Sequence, residues 1–197
     1  MISLKHEFIF VHIPRTAGTS IEWTLQDETC TLLPNEWDES RVPDAPLNHL
    51  TLQQIRDHGF LPPERFERFF KFCFVRNPWD RLVSEMFYLR EIGMLDGNDA
   101  QAFEEMRNLE SVGNHLTLQH DFVTLDSEVG VDFIGRFENL QNDFDRICDI
   151  IGIARRQLPF TNTSTRQPHW NYYDSRTRSW VARRYRRDLE AFGYGYR

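Results

Sequence analysis

Phe8-Ile9-Phe10-Val11-His12-Ile13-Pro14-Arg15-Thr16-Ala17-Gly18-Thr19-Ser20 is the stretch whose reading decides the fold. An apolar run, Phe8 to Val11 with Ile13, stops at Pro14. A short loop of small and hydroxyl residues follows, and Ile21, Trp23 and Leu25 open a new pattern. The spacing predicts a buried strand, a tight turn and a helix start. That arrangement aims backbone N–H groups and a helix dipole at one point, where an anion can sit.

Working outward, a chain of 197 residues is expected to form one domain, 1–197, with a sizeable core. Hydrophobic residues make up 40% and charged residues 27%, as in an ordinary globular protein. The formal net charge of −7 argues against a general nucleic-acid binder. It leaves room for an anionic ligand, because positive charge focused in a cleft can outweigh the total. Cys30, Cys73 and Cys148 form no CxxC pair, so neither a disulfide framework nor a zinc site is expected. Met1 to Glu7 lacks signal-peptide architecture, and no apolar run approaches the ~20 residues of a membrane span. A cytoplasmic protein with no membrane span is the expectation.

The chain then alternates. Thr19 to about Asp27 should be the first helix, and Glu28 to Pro46 reads as a polar loop punctuated by Pro34, Pro43 and Pro46. Asn48-His49-Leu50-Thr51 introduces a short helix, Leu52 to His58, and Pro62-Pro63 another, Glu64 to Phe69. Phe70 to Val75 is a second buried strand. It ends at Arg76, where Asn77 suits an N-cap, Pro78 the first helical position and Asp80 the positive first turn. Leu82, Val83, Met86 and Phe87 continue at helical spacing. A helix is expected over Ala100 to Leu109, while Asn114 to Leu125 gives no clear period. Val131 to Phe137 reads as a third strand, Leu140 to Ile151 as a helix closed by Gly152, and Ser175 to Phe192 as one last helix. Pro159 to Tyr173 reads as an ordered polar loop. Repeated strand–helix units without hairpin signals predict a parallel α/β sheet, with its ligand at the carboxyl ends of the strands.

The first loop is not a Walker A sequence: it has one glycine, and its only cation, Arg15, comes early. A nucleoside triphosphatase is therefore disfavoured. Taken alone, the loop could also be a strand–helix turn with no ligand. The second turn, Arg76-Asn77-Pro78-Trp79-Asp80-Arg81-Leu82-Val83-Ser84, puts an arginine at another strand end, with Ser84 about one turn into the helix. Two anion sites on adjacent strand ends suit a nucleotide with phosphates at two separate positions.

Val11 to Ser20 resembles the 5′-phosphosulfate loop of sulfotransferases of the carbohydrate type, whose loops read like HIPKTGGTS. Phe74 to Ser84 resembles their 3′-phosphate motif, RNPxxRxxS. The resemblance continues through Phe133 to Leu140, Asn162-Thr163-Ser164, and Tyr172-Tyr173-Asp174 with the helix beyond, and so spans nearly the whole chain. It implies a P-loop NTPase-like three-layer fold, a central parallel sheet flanked by helices. It also implies a donor, 3′-phosphoadenosine 5′-phosphosulfate (product adenosine 3′,5′-bisphosphate), no metal, and a small-molecule or carbohydrate acceptor. By that resemblance Arg15, Thr16, Ala17, Gly18, Thr19 and Ser20 hold the 5′-phosphosulfate and Arg76 and Ser84 the 3′-phosphate, with Arg166 in the late polar loop a further phosphate contact. One departure is plain: the family usually carries Lys where this chain has Arg15, and Arg is effectively always protonated.

Transfer to a hydroxyl needs a general base, and histidine is the natural one near neutral pH. His49 is the first choice, in a segment that resembles the family's HLT-containing region. His115 is the second, Asp44 or Glu36 are alternatives, and His12 is read as structural. Two other functions compete: a P-loop small-molecule kinase, and a nucleotide-binding protein that kept the cradle and lost turnover.

Overall fold

The computed structural model describes residues 1–26, 49–109, 114–159 and 166–197. The expected loop Glu28–Pro46, with Cys30, Glu36 and Asp44, lies outside them, as do Asn162–Ser164. Two short strands, β1 (Ile2–Ser3) and β2 (Phe8–Val11), open the chain. Helices α1 (Gly18–Leu25), α2 (Leu52–Asp57) and α3 (Pro63–Arg68) lead to strand β3 (Phe70–Val75). Then come α4 (Pro78–Glu91), α5 (Asp99–Asn108) and α6 (Gln119–Val123), a small ribbon of β4 (Thr124–Leu125) and β5 (Glu128–Val129), and strand β6 (Phe133–Arg136). Helices α7 (Leu140–Ile151), α8 (Ser175–Arg184) and α9 (Arg186–Phe192) complete the chain.

The main sheet runs in the order β1-β2-β3-β6, with β2, β3 and β6 parallel and β1 antiparallel at the edge. Phe8 pairs with Phe70 and Val11 with Cys73, while Phe72 pairs with Phe133 and Val75 with Arg136. Strand alternation divides the core into two faces. Phe8, Phe10, Phe72 and Phe74 pack with Ile21 and Leu25 of α1 and Phe144, Ile147 and Cys148 of α7. Ile9, Val11, Cys73 and Val75 pack with Leu52 and Ile55 of α2, Phe66 of α3 and Phe122 of α6. Helices therefore cover both faces, which explains why the central strands read as continuous apolar runs rather than alternating ones. A third cluster joins α4, α5 and α8 through Leu82, Val83, Met86, Phe103, Met106 and Val181.

Helix α4 starts as its sequence predicts: the Asn77 side chain accepts from the Trp79 N–H at 3.0 Å, and Pro78 occupies the first turn. Gly152 ends α7 in the left-handed conformation, φ 72°. Two expectations need correction, and one stretch left without a reading takes shape. The sheet is not wholly parallel, because Met1–Glu7 contributes the two-residue edge strand β1, too short to show a period. The Asn114–Leu125 region resolves into α6 and the start of the β4–β5 ribbon, whose turn residues Asp126 and Ser127 both have positive φ. Such angles suit a tight hairpin, here without the glycine that usually signals one. The single last helix is two, α8 and α9, meeting at Tyr185 with ψ 24°. The fully buried Tyr185 donates its hydroxyl to the Leu116 carbonyl at 3.2 Å, and Asp188 accepts from the backbone of Gln119 and His120. These tertiary anchors override a helical period that runs through the break.

The centre of β6 has no room for a side chain. A Cβ on Gly135 would stand 2.5 Å from Cε1 of Phe74, whose ring fills the space above the strand. Gly135→Ala is expected to destabilise the protein by about 1–3 kcal/mol through overpacking. The measurement is the urea midpoint at unchanged slope, and a midpoint equal to the parent's would show that Phe74 can move aside.

Candidate functional site

The loop between β2 and α1 is built from an unusual backbone. Arg15 and Ala17 both have positive φ, 65° and 72°. For residues with a Cβ this costs about 1–2 kcal/mol each. The N-cap of α1, Ala17, has no side chain able to cap the helix. A helix start of this kind, beside an arginine, forms a place for an anion. Gly18 is required for a second reason: a Cβ there would stand 1.9 Å from Cδ2 of His12, so the imidazole occupies the space a side chain would need.

Not every hydroxyl in this loop faces outward. Thr16 is fully buried and donates to the Ile13 carbonyl at 2.9 Å, so its side chain closes the turn. Thr19 is exposed and Ser20 buried. Arg15 donates from Nε to Ser84 Oγ at 3.3 Å, and its guanidinium lies 4.8 Å from the centre of the Tyr88 ring. Burial pulls the Arg15 pKa downward, with Glu85 opposing.

The second turn is joined to the first. Arg76 donates from Nη1 to the Arg15 carbonyl at 3.0 Å and from Nε to Asp80 at 2.7 Å, while its plane lies 3.7 Å over the Phe137 ring. Burial pushes the Arg76 pKa down to about 10, with Asp80 opposing, so the group remains a cation at neutral pH. Arg166 also meets Asp80, at 2.9 Å, and donates to the Asp80 carbonyl at 3.3 Å. His169 Nδ1 lies 3.9 Å from the same carboxylate. Asp80 thus gathers Arg76 and Arg166, which the sequence places 90 residues apart. Two arginines on one carboxylate leave an excess of positive charge for an anionic group. Ser84 stands with Arg15 rather than with Arg76, so the expected 3′-phosphate set divides between the two neighbouring clusters.

Three histidines meet beside the loop. His49 donates from Nδ1 to the His12 carbonyl at 3.1 Å. Its ring stands edge-on to His12, centroids 4.5 Å apart, and to His115, 5.1 Å apart. Burial, with His12 and His115 adding to it, pushes the His49 pKa down to about 3. At the near end of the row, His12 Nδ1 lies 3.1 Å from Glu22 Oε1, within ion-pair distance but off the line of a hydrogen bond. Burial pushes the Glu22 carboxyl upward, and the imidazole outweighs it, leaving the carboxyl below its ordinary value. At the far end, His115 Nδ1 meets both oxygens of Glu85 at 3.0 and 3.1 Å. His49 and His115 are therefore brought together, and His12 sits against them as a wall of the loop.

Sequence reasoning passed over Glu85 and Tyr88 and gave Arg81 no role beyond the turn. Arg81 donates to three carbonyls, of Pro14 at 3.0 Å, Thr117 at 3.0 Å and His115 at 2.7 Å. Residues 81, 84, 85 and 88 follow the i, i+3, i+4, i+7 spacing of one helix face. That polar stripe was visible in the sequence, hidden only by the apolar stripe beside it. Among the described residues no group of three His, Cys, Asp or Glu side chains is placed to hold a metal ion, and no helix is long and apolar enough to cross a membrane.

A model of the sulfotransferase family matches residues 1–195. An uncharacterized protein of Archaeoglobus fulgidus is 33% identical over 100 residues, which cover 50% of this chain and 81% of that protein. No solved structure matches. Nearly the whole chain, including both arginine-bearing turns, falls within the family match, and the chain belongs to the sulfotransferase family.

Proposed function

We propose that the protein transfers the sulfuryl group of 3′-phosphoadenosine 5′-phosphosulfate to a hydroxyl of a carbohydrate acceptor, within a P-loop-like fold. The observation that carries this reading is the hydrogen bond from Arg76 to the Arg15 carbonyl, which couples the two turns at the ends of neighbouring strands. A donor with phosphates at its 5′ and 3′ positions needs two cationic sites held at a fixed separation.

In this reading the α1 N-terminus, the backbone of Thr16 to Ser20 and the Arg15 side chain hold the 5′-phosphosulfate. The Arg76–Asp80–Arg166 cluster receives the 3′-phosphate, and Ser84 steadies Arg15. The acceptor oxygen attacks sulfur in line, and the bond from sulfur to the phosphate oxygen breaks. That oxygen leaves with the electron pair, and Arg15 and the helix N-terminus stabilise its charge. The acceptor proton goes to an imidazole, His49 or His115. The His12 carbonyl fixes the proton of His49 on Nδ1, which leaves Nε2 as the nitrogen bearing the lone pair.

Adenosine 3′,5′-bisphosphate is expected to raise the melting temperature at concentrations where ADP and ATP do not. An equal or reversed response would favour the kinase. Arg15→Ala should lower the rate of transfer by about 10²–10³-fold, the usual cost of losing one donor to a developing oxyanion. Arg15→Lys, which keeps the charge but loses the Nε–H bond to Ser84 and the planar group beside Tyr88, should retain more activity than Arg15→Ala. Binding of the bisphosphate without transfer by the parent or by Arg15→Lys, across a panel of saccharides, would identify a binding protein instead.

The low His49 pKa also makes a prediction for stability. The unfolded chain binds a proton at His49 below about pH 6.5, and the folded protein does so only near pH 3. The unfolded state therefore holds more protons between these values, and stability falls as pH drops through the window. The slope is up to ~1.4 kcal/mol per pH unit from this group. His49→Gln should flatten that part of the pH–stability curve in urea titrations; an unchanged slope would mean that His49 does not stay neutral in the folded state.

A further inference from the structure

Glu85 lies on α4 with 1% of its surface exposed. A carboxylate so buried costs several kcal/mol unless a donor or a cation answers it. Its answer is His115, whose Nδ1 stands 3.0 and 3.1 Å from the two oxygens. A carboxylate only accepts, so His115 carries its proton on Nδ1 and its lone pair on Nε2. The rest of the ring is fixed as well. Tyr88 stacks on it with centroids 5.6 Å apart at 19°, His49 meets it edge-on, and Arg81 holds its carbonyl at 2.7 Å. The ring remains reachable, with 15% of its side chain exposed. Arg15, 4.8 Å from the centre of the same Tyr88 ring, feels the charge of Glu85.

We propose that Glu85 is a positioning residue that makes His115, rather than His49, the group that takes the acceptor's proton. The inference rests on the sulfuryl-transfer reading above and deepens it. As the oxygen–sulfur bond forms, the acceptor proton passes to Nε2 of His115, and the imidazolium so formed is paired with Glu85. The sulfur–oxygen bond to the 5′-phosphate breaks, and its electron pair stays on the oxygen beside Arg15. His49 is poorly suited to the part: its Nδ1 partner is a neutral carbonyl, and burial pushes its pKa to about 3, far from the operating range of a general base. Among the described residues, the charged and titratable groups facing His115 are Glu85, Arg81 and Tyr88 of α4 and His49 from the segment before α2, with Arg15 of the first loop beyond Tyr88.

The test combines a spectroscopic and a kinetic measurement. Two-bond proton–nitrogen correlation spectra of the ¹⁵N-labelled parent, with His115 assigned by its loss in His115→Gln, should show the proton on Nδ1; a proton on Nε2 would overturn the proposal. Kinetics use ³⁵S-labelled donor and the saccharide that turns over best in a mono- and oligosaccharide panel. Glu85→Gln, close to isosteric, should lower kcat by about 10²-fold, as expected for an impaired general base, with the donor KM within about twofold and the melting-temperature gain from adenosine 3′,5′-bisphosphate unchanged. The acid limb of the kcat–pH profile should survive in His49→Gln and vanish in His115→Gln. The reverse pattern, or a Glu85→Gln enzyme with parental kcat, would overturn the assignment. A parent that binds the bisphosphate but transfers to no saccharide would remove the reaction and with it His115's role in it, whereas the tautomer would still report whether Glu85 sets the ring.

Discussion

Arg81 is buried to 3% exposure and gives its guanidinium to three backbone carbonyls. Pro14 belongs to the loop after β2, and His115 and Thr117 to the segment before α6. A buried cation held by carbonyl oxygens is stable only while all of them stay in place, because each lost partner leaves a charge without compensation. Asp188, fully buried nearby, feels the same cation and accepts from the Gln119 and His120 backbone. Helix α4 therefore carries a charge that ties the first loop to the His115 segment.

The same helix shows how a protein of net charge −7 keeps a cationic centre. Arg15, Arg76, Arg81 and Arg166 come together, and each is restrained by oxygens or an aromatic face rather than by a full ion pair of its own. Asp80 answers both Arg76 and Arg166, and Glu85 is committed to His115. Four guanidinium groups are thus gathered around a few shared oxygens in spite of the total, and charge focused in this way can draw an anion.

Much of this was legible in the chain. Phe8–Val11 and Phe70–Val75 announced central strands because both of their faces are buried, and Asn77-Pro78 announced the start of α4 because capping chemistry is local. The two arginine-bearing turns were legible for the same reason. What escaped depended on distance in sequence or on small size. The edge strand Ile2–Ser3 is too short for a period, and the break at Tyr185 is imposed by Leu116 and by the backbone of Gln119 and His120. The pairing of Glu85 with His115 spans 30 residues. Glu85 follows Ser84 in a helix whose apolar stripe dominates the pattern, and only the fold shows that its carboxylate points at a histidine.

Arg15 is the residue whose meaning changed most between sequence and structure. Read as a replacement for lysine, it is a fixed charge that gives up some chemical flexibility. In its surroundings it is a fitted part. The Nε–H reaches Ser84 Oγ while the flat guanidinium lies against Tyr88, two contacts that a planar, multi-donor group can make together. An ammonium could make either contact, but its tetrahedral head has no plane to stack while it donates sideways. Tyr88 in turn stacks on His115 through a nearly parallel ring, so the side chain at 15 helps set the wall against which the imidazole rests. Arginine at position 15 and histidine at 115 meet the same tyrosine ring, and a change at the cationic contact bears on the wall against which the imidazole rests.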